Sequence, residues 1–313
     1  MKLYLPISCA LLFASASMAQ MLVVDRPALP GTQNAGEPVG RAKGPGFVGD
    51  HFRLGAAGEI WVIDTIRVWE RSPGKLGDTF ESVALFGGIE AVPPPPGKPP
   101  EADCDCHNLI SIKSARYHSG SAPGEPAGIA ESASGSGLRQ IDFQNLHWSV
   151  PGGLNIQFGV MGVSRRGNQP WLYQTATMPD QHHLNLFDDK GKLEGAYAPD
   201  GRPPAAGLGV NVQVWAHRAA TIEIRPSAAA IEVVLRSDDS FDATKAEAAS
   251  LRLGPNGAAP VSSRLQTQNG RQMLVARFQR QGTGLQPSSV SACMNGRLSD
   301  GVPFEGCDLL RAK

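Results

Sequence analysis

The densest cluster of potential ligands in the chain is Asp103-Cys104-Asp105-Cys106-His107. Two thiolates and an imidazole can bind zinc, which favours sulfur and nitrogen donors. Structural zinc sites, however, space their cysteines about two to four residues apart and add a second pair of ligands. A Cys-x-Cys pair can instead close into a small strained disulfide of redox character. In the plainest reading the two cysteines sit in a loop of an oxidised protein, bonded to each other or unpaired. The residues leave all three open.

His182-His183, beside Asp180, Asp188 and Asp189, is the second constellation with metal or acid–base types. Adjacent residues of a strand point to opposite faces, so both imidazoles share a site only within a loop. Met178-Pro179-Asp180-Gln181 reads as such a loop. A metal-dependent hydrolase using His182, His183 and these aspartates is therefore the catalytic alternative to a solvated polar loop. Tyr117-His118-Ser119 and His147-Trp148-Ser149 place histidine near serine, but closeness in sequence is no evidence for a triad. The chain lacks Gly-x-Ser-x-Gly, His-Glu-x-x-His, a Walker loop and a dinucleotide fingerprint.

Aromatic residues offer binding rather than catalysis. Of Trp61, Trp69, Trp148, Trp171 and Trp215, most lie in apolar runs and belong in a core. Trp171, after the polar turn Gly167-Asn168-Gln169-Pro170, is with Tyr173 the candidate exposed platform for stacking on a sugar ring.

The remaining chemistry is a disulfide. Cys293 and Cys307 lie seven residues either side of Asp300. A three-residue loop Ser299-Asp300-Gly301, with Gly301 left-handed, pairs Leu298 with Val302 and brings Cys293 opposite Cys307. Directly opposed Cβ atoms lie within about 5.5 Å, close enough to bridge.

Bridging needs an oxidising compartment, and the N-terminus provides for one. Lys2 precedes an apolar run through Phe13 and then Ala14-Ser15-Ala16-Ser17-Met18-Ala19, a signal-peptide pattern with cleavage expected after Ala19. The run is shorter than the roughly 20 residues a bilayer requires, so no membrane span is expected after cleavage. Cys9 leaves with the signal, and an even four cysteines remain, which favours disulfides in an exported chain. The expected location is secreted or periplasmic. Without Lys2, 28 basic residues face 29 acidic ones. That balance carries no electrostatic footprint for nucleic acid.

What must position these residues is β-structure. Gly 36 and Pro 25 punctuate short runs rich in β-branched and aromatic residues. Ile60–Trp69 is the longest, with Ile60, Val62, Ile66 and Val68 expected on one face and Trp61, Ile63 and Trp69 on the other. A strand apolar on both faces belongs in the middle of a packed sheet pair. Residues 20–45 read as an extended or disordered lead-in, and proline-rich Ala91–Ala102 as a surface loop. The fold class is all-β: a jelly-roll-like β-sandwich over 46–218, then a small accessory β-domain over 221–313.

Two resemblances accompany this reading. Asp50-His51-Phe52, Trp61-Val62-Ile63-Asp64-Thr65 and the Gly-rich lead into Gly207–Trp215 loosely resemble secreted bacterial jelly-roll-like sandwich domains. The second rests on Ile222-Glu223-Ile224-Arg225-Pro226, Ser237-Asp238-Asp239-Ser240-Phe241-Asp242, Gly254-Pro255-Asn256-Gly257, Thr283-Gly284-Leu285 and the 293–307 hairpin. Residues 221–313 thereby resemble a small β-domain appended to many secreted bacterial proteins. Typical members carry an acidic Asp-x-Asn-Gly-Asp loop, a plausible calcium-ligand set. Gln266–Gln272 has no carboxylate there and adds Arg271, so that site is expected to be lost and no cofactor is expected. The functional expectation is an exported, non-catalytic binding or surface-display protein, with carbohydrate or a cell-surface component as partner.

Overall fold

The computed structural model describes residues 20–28, 37–38, 40–41, 44–71, 75, 78, 80–89, 113–118, 128–134, 138–164, 171–172, 174–175, 185–187, 193–196 and 209–310. They are all-β, in two compact units: Met21–Ala219, and a second built on Ala220–Lys313.

The first unit packs two antiparallel sheets. One joins β1 (Met21–Arg26), β3 (Ile60–Arg71), β6 (Gly128–Ser134), β7 (Leu138–Gln144), β8 (Trp148–Pro151) and β10 (Val212–Ala219). Its centre is β3, flanked by β10 on one side and by β7 and β8 on the other. The second sheet is β2 (Gly44–Arg53), β4 (Phe80–Ile89), β5 (Lys113–His118) and β9 (Asn155–Ser164), with β9 between β2 and β4.

Strand β3 is central, as its composition demands, but its faces differ from strict alternation. Opposite the step from Trp215 to Ala216, β10 pairs first with Thr65 and then with Ile63, leaving Asp64 as an extra residue. A bulge of this kind shifts the side-chain alternation by one. Trp61 and Ile63 therefore share the inner face with Ile66 and Val68. Cross-strand rows fill that face: Ala216–Ile63–Trp148, Val214–Ile66–Phe143 and Val212–Val68–Ile141, all buried. Trp69 is buried on the opposite face, against Leu138. Trp61 and Trp69 are 6% and 4% exposed, as expected of core residues.

The expected lead-in over 20–45 needs correction as well. Met21–Arg26 is a strand paired with β10, and Val24 is buried. The glycines and prolines of this stretch all come after Arg26, while Leu22-Val23-Val24 supplies enough β-branched surface to finish the sheet.

Sheet packing depends on Gly87 in β4. A Cβ there would lie 2.3 Å from the buried Trp148 ring, so the missing side chain lets the indole reach across from the first sheet. Gly87→Ala is expected to destabilise this unit by about 1–3 kcal/mol through overpacking. Denaturant unfolding monitored by tryptophan fluorescence checks this, and an unchanged midpoint would contradict it.

The second unit stacks a four-stranded sheet with a hairpin. The sheet runs β11 (Thr221–Pro226), β12 (Ala230–Arg236), β15 (Arg271–Gln279), β14 (Ser262–Gln268). The hairpin is β16 (Ser291–Arg297) and β17 (Pro303–Leu309), with the short β13 (Arg252–Leu253) beside β16. Between them lies a core that includes Ile222, Val233, Leu235, Leu274, Phe278, Met294 and Phe304. Gly306 brings β17 close to the start of this unit, where a Cβ would stand 2.5 Å from the Ala220 carbonyl.

Candidate functional site

The outer face of the first sheet carries one row of polar side chains straight across four strands. Asp25 of β1 pairs with Gln213 of β10, Gln213 with Arg67 of β3, and Arg67 with Asp142 of β7. Register becomes chemistry because each side chain reaches its neighbour. Gln213 donates from Nε2 to Asp25 Oδ1 at 2.7 Å, and its Oε1 accepts from Arg67 Nη1 at 3.2 Å. Arg67 then forks onto Asp142, Nε to Oδ1 at 2.7 Å and Nη2 to Oδ2 at 2.8 Å. A bidentate guanidinium–carboxylate pair is the geometrically most specific of ion pairs.

Trp215 lies one residue pair along, partly exposed, with the Arg67 guanidinium 4.5 Å from its ring centroid. The cation–π contact adds about 0.5–1 kcal/mol at such a site and fixes the orientation of the ring. Trp215 sits in an apolar run but faces outward, because Val212, Val214 and Ala216 take the inner face.

Beyond Trp215 the same strand presents His217, and the bulge turns Asp64 toward it. His217 Nδ1 lies 2.7 Å from Asp64 Oδ2 and acts as donor, since a carboxylate oxygen accepts. His147 Nδ1 stands 3.8 Å from Asp64 Oδ1. The loop that delivers His147 is tightly wound: Asn145 and His147 have φ of 56° and 44°, and the Leu146 N–H bonds to the Asp64 carbonyl at 3.0 Å. Asp64 and His217 are buried whereas the His147 side chain is exposed. The arrangement orients one imidazole and pins a loop. Among the described residues no nucleophile joins it.

A further clamp closes the end of β3. Glu59 accepts from Trp61 Nε1 at 3.0 Å, from the Ala56 N–H at 3.0 Å and from Arg218 Nη1 at 2.6 Å.

In the second unit the polar motifs build turns. Asp238 accepts from the Ser240 N–H and hydroxyl and from Thr221 Oγ1. Those bonds hold its carboxyl below the usual range against the opposing effect of burial. Asp242 caps a 3-10 turn at Thr244, which lowers it too. Gly254-Pro255-Asn256-Gly257 and Thr283-Gly284-Leu285 meet, the Asn256 N–H donating to the Thr283 carbonyl at 3.2 Å. Gln266–Gln272 closes through a two-residue turn, and Arg271 pairs with Asp239 at 3.2 Å. A cleft of about 440 Å³ at this end is lined by Thr221, Arg236, Asp238, Gln268 and Arg271. Its charges are committed internally, Arg271 to Asp239 and Arg236 to Glu223.

Of the residues singled out in the sequence, Cys293 and Cys307 are bonded, opposite each other in the β16–β17 ladder. Trp171 has its backbone paired with Arg71, and its side chain lies outside the described residues. Tyr173, Asp103, Cys104, Cys106, His107, His182 and His183 also lie outside them. Sequence reasoning misses the outer-face row of Asp25, Arg67, Asp142, Gln213 and Trp215. Its one local signal is Arg67, a charged side chain between the apolar Ile66 and Val68 of a largely apolar strand.

No helix among the described residues is long and apolar enough to cross a membrane. No family model matches the chain, and no curated protein matches it.

Proposed function

We propose that this is an exported, non-catalytic binding or surface-display protein whose ligand class is carbohydrate, the first unit being a jelly-roll-like sandwich and the second an accessory domain. The observation that carries this reading is the outer-face row Asp25–Gln213–Arg67–Asp142 beside the partly exposed Trp215. Planar amide, guanidinium and carboxylate groups, already held by one another, match the vicinal hydroxyls of a sugar with little ordering cost. An aromatic ring beside them supplies the apolar surface that a sugar's C–H face needs.

A glycan array with the whole chain tests the class, and titration of the best hit tests the site. Trp215→Ala and Gln213→Ala are each expected to weaken binding about tenfold or more, close to 1.4 kcal/mol. Undiminished binding in both variants would move the site elsewhere. Stoichiometric zinc in the purified protein, or turnover of the bound glycan, would replace this reading with the hydrolase built on His182 and His183.

A further inference from the structure

Among the described residues, strand β14 is the edge of its sheet and pairs with β15 alone, and all of Ser262–Gln268 is exposed. The Asn269-Gly270 turn has φ of 52° and 76°, the type I′ geometry of a two-residue hairpin. Such a turn makes Gln268 and Arg271 a mutually hydrogen-bonded pair, and pairing then alternates along the ladder. Gln266 and Arg264 therefore direct their N–H and C=O groups toward β15, whereas Ser263, Leu265 and Thr267 direct theirs outward. No other strand or loop among the described residues takes up those outward groups.

Protein edges of this kind are normally blunted by lysine, proline or a charge turned toward the edge. β14 contains neither lysine, proline nor a carboxylate. Its one charged side chain, Arg264, reaches over the face of its own sheet to Glu232 at 3.6 Å.

We propose that β14 pairs antiparallel with β14 of a second copy, about a two-fold axis at Leu265. The register comes from the outward groups. Leu265 stands opposite Leu265 of the other copy, Ser263 opposite its Thr267, and Arg264 opposite its Gln266. Every outward N–H then meets an outward C=O, and no like charges face each other. Leu265, which is 57% exposed beside the core residue Leu274, gains an apolar partner on the core face. A slip of one residue would set outward groups against inward ones. The two-residue slip toward the N-terminus would oppose Arg264 to itself. A self-complementary patch on an axis is the form a two-fold dimer interface takes.

Sedimentation of the whole chain over a broad concentration range is expected to show a reversible monomer–dimer equilibrium. Leu265→Lys brings two ammonium groups face to face and should raise the dimer dissociation constant at least tenfold. The monomer's circular dichroism and melting should be unchanged, because the position is exposed. Register is read by cross-linking in a Cys9→Ser, Cys104→Ser, Cys106→Ser background with a short bifunctional thiol reagent. Leu265→Cys should join to itself, and Ser263→Cys should join to Thr267→Cys in a mixture. Ser263→Cys should not join to itself, since those positions stand about 14 Å apart. A monomer at every concentration overturns the proposal. So does a dimer indifferent to Leu265→Lys, or cross-linking of Ser263→Cys with itself.

Discussion

Glu70→Gln should stabilise the first unit at pH 8 and flatten the decline in stability that the parent chain shows as pH rises. Glu70 sits on the inner face of β3, 1% exposed, with neither carboxyl oxygen hydrogen-bonded. Burial comes first among the causes that push its carboxyl up to about 8, and the nearby Glu131 adds to it. Arg139 opposes them, but its guanidinium is already bonded to Glu131. The ordinary value is 4.5, so between pH 4.5 and 8 the unfolded chain has lost this proton while the folded chain retains it. Stability linked to Glu70 is therefore complete below about 4.5, falls through the window and levels off above about 8. The slope approaches about 1.4 kcal/mol per pH unit, and the whole effect is on the order of 3–5 kcal/mol.

Gln preserves shape and cannot ionise, so the difference between the two proteins isolates this carboxyl from every other titrating group. Urea unfolding at pH 5, 6.5 and 8, monitored by tryptophan fluorescence, measures it. All five tryptophans precede Ala220, so the signal belongs to the first unit. Parallel pH profiles for the two proteins would mean that Glu70 finds a cation in solution and is ionised in the fold.

How much of this was legible in the sequence depends on how local each feature is. The 293–307 hairpin was legible because loop length, Gly301 at φ 84° and strand register are settled within a few residues. The Leu298 N–H reaches the Val302 carbonyl at 2.8 Å, which fixes the ladder that opposes the two cysteines. Strand β3 was legible as a central strand because its β-branched run is long. Its faces were not, because the bulge at Asp64 is set by β10, His217 and the Leu146 N–H, all more than 80 residues away. The outer-face row was hidden for the same reason. Asp25 and Gln213 are 188 residues apart, and only the pairing of β1, β10, β3 and β7 puts four unremarkable polar residues in line. Sequence patterns report which residues want burial, and they are silent on which distant strand lies alongside.

Removing the Cys293–Cys307 bridge should cost the second unit about 3 kcal/mol. The bond spans a sequence separation of 14, and in the chain-entropy model a closed loop of that size restrains the unfolded chain by about that amount. The folded side of the balance changes little. The ladder from Ser291–Leu309 to Arg297–Pro303 holds the two strands in register without the sulfurs, and Cys307 itself is exposed. For a unit of under a hundred residues, 3 kcal/mol corresponds to a fall in melting temperature of roughly 12–24 °C. The other contributors there are individually modest. Arg225 and Arg236 hold Glu223 at about 2, yet these groups are more than a third exposed and solvent screens them. The double variant Cys293→Ser, Cys307→Ser, melted by far-ultraviolet circular dichroism, should therefore lose the transition of residues 220–313 to lower temperature. Tryptophan fluorescence, blind to that unit, should keep its midpoint. A shift of the fluorescence transition by the same amount would show that the two units unfold together. An unmoved dichroism transition would show that the unfolded chain gains no freedom when the bridge is cut.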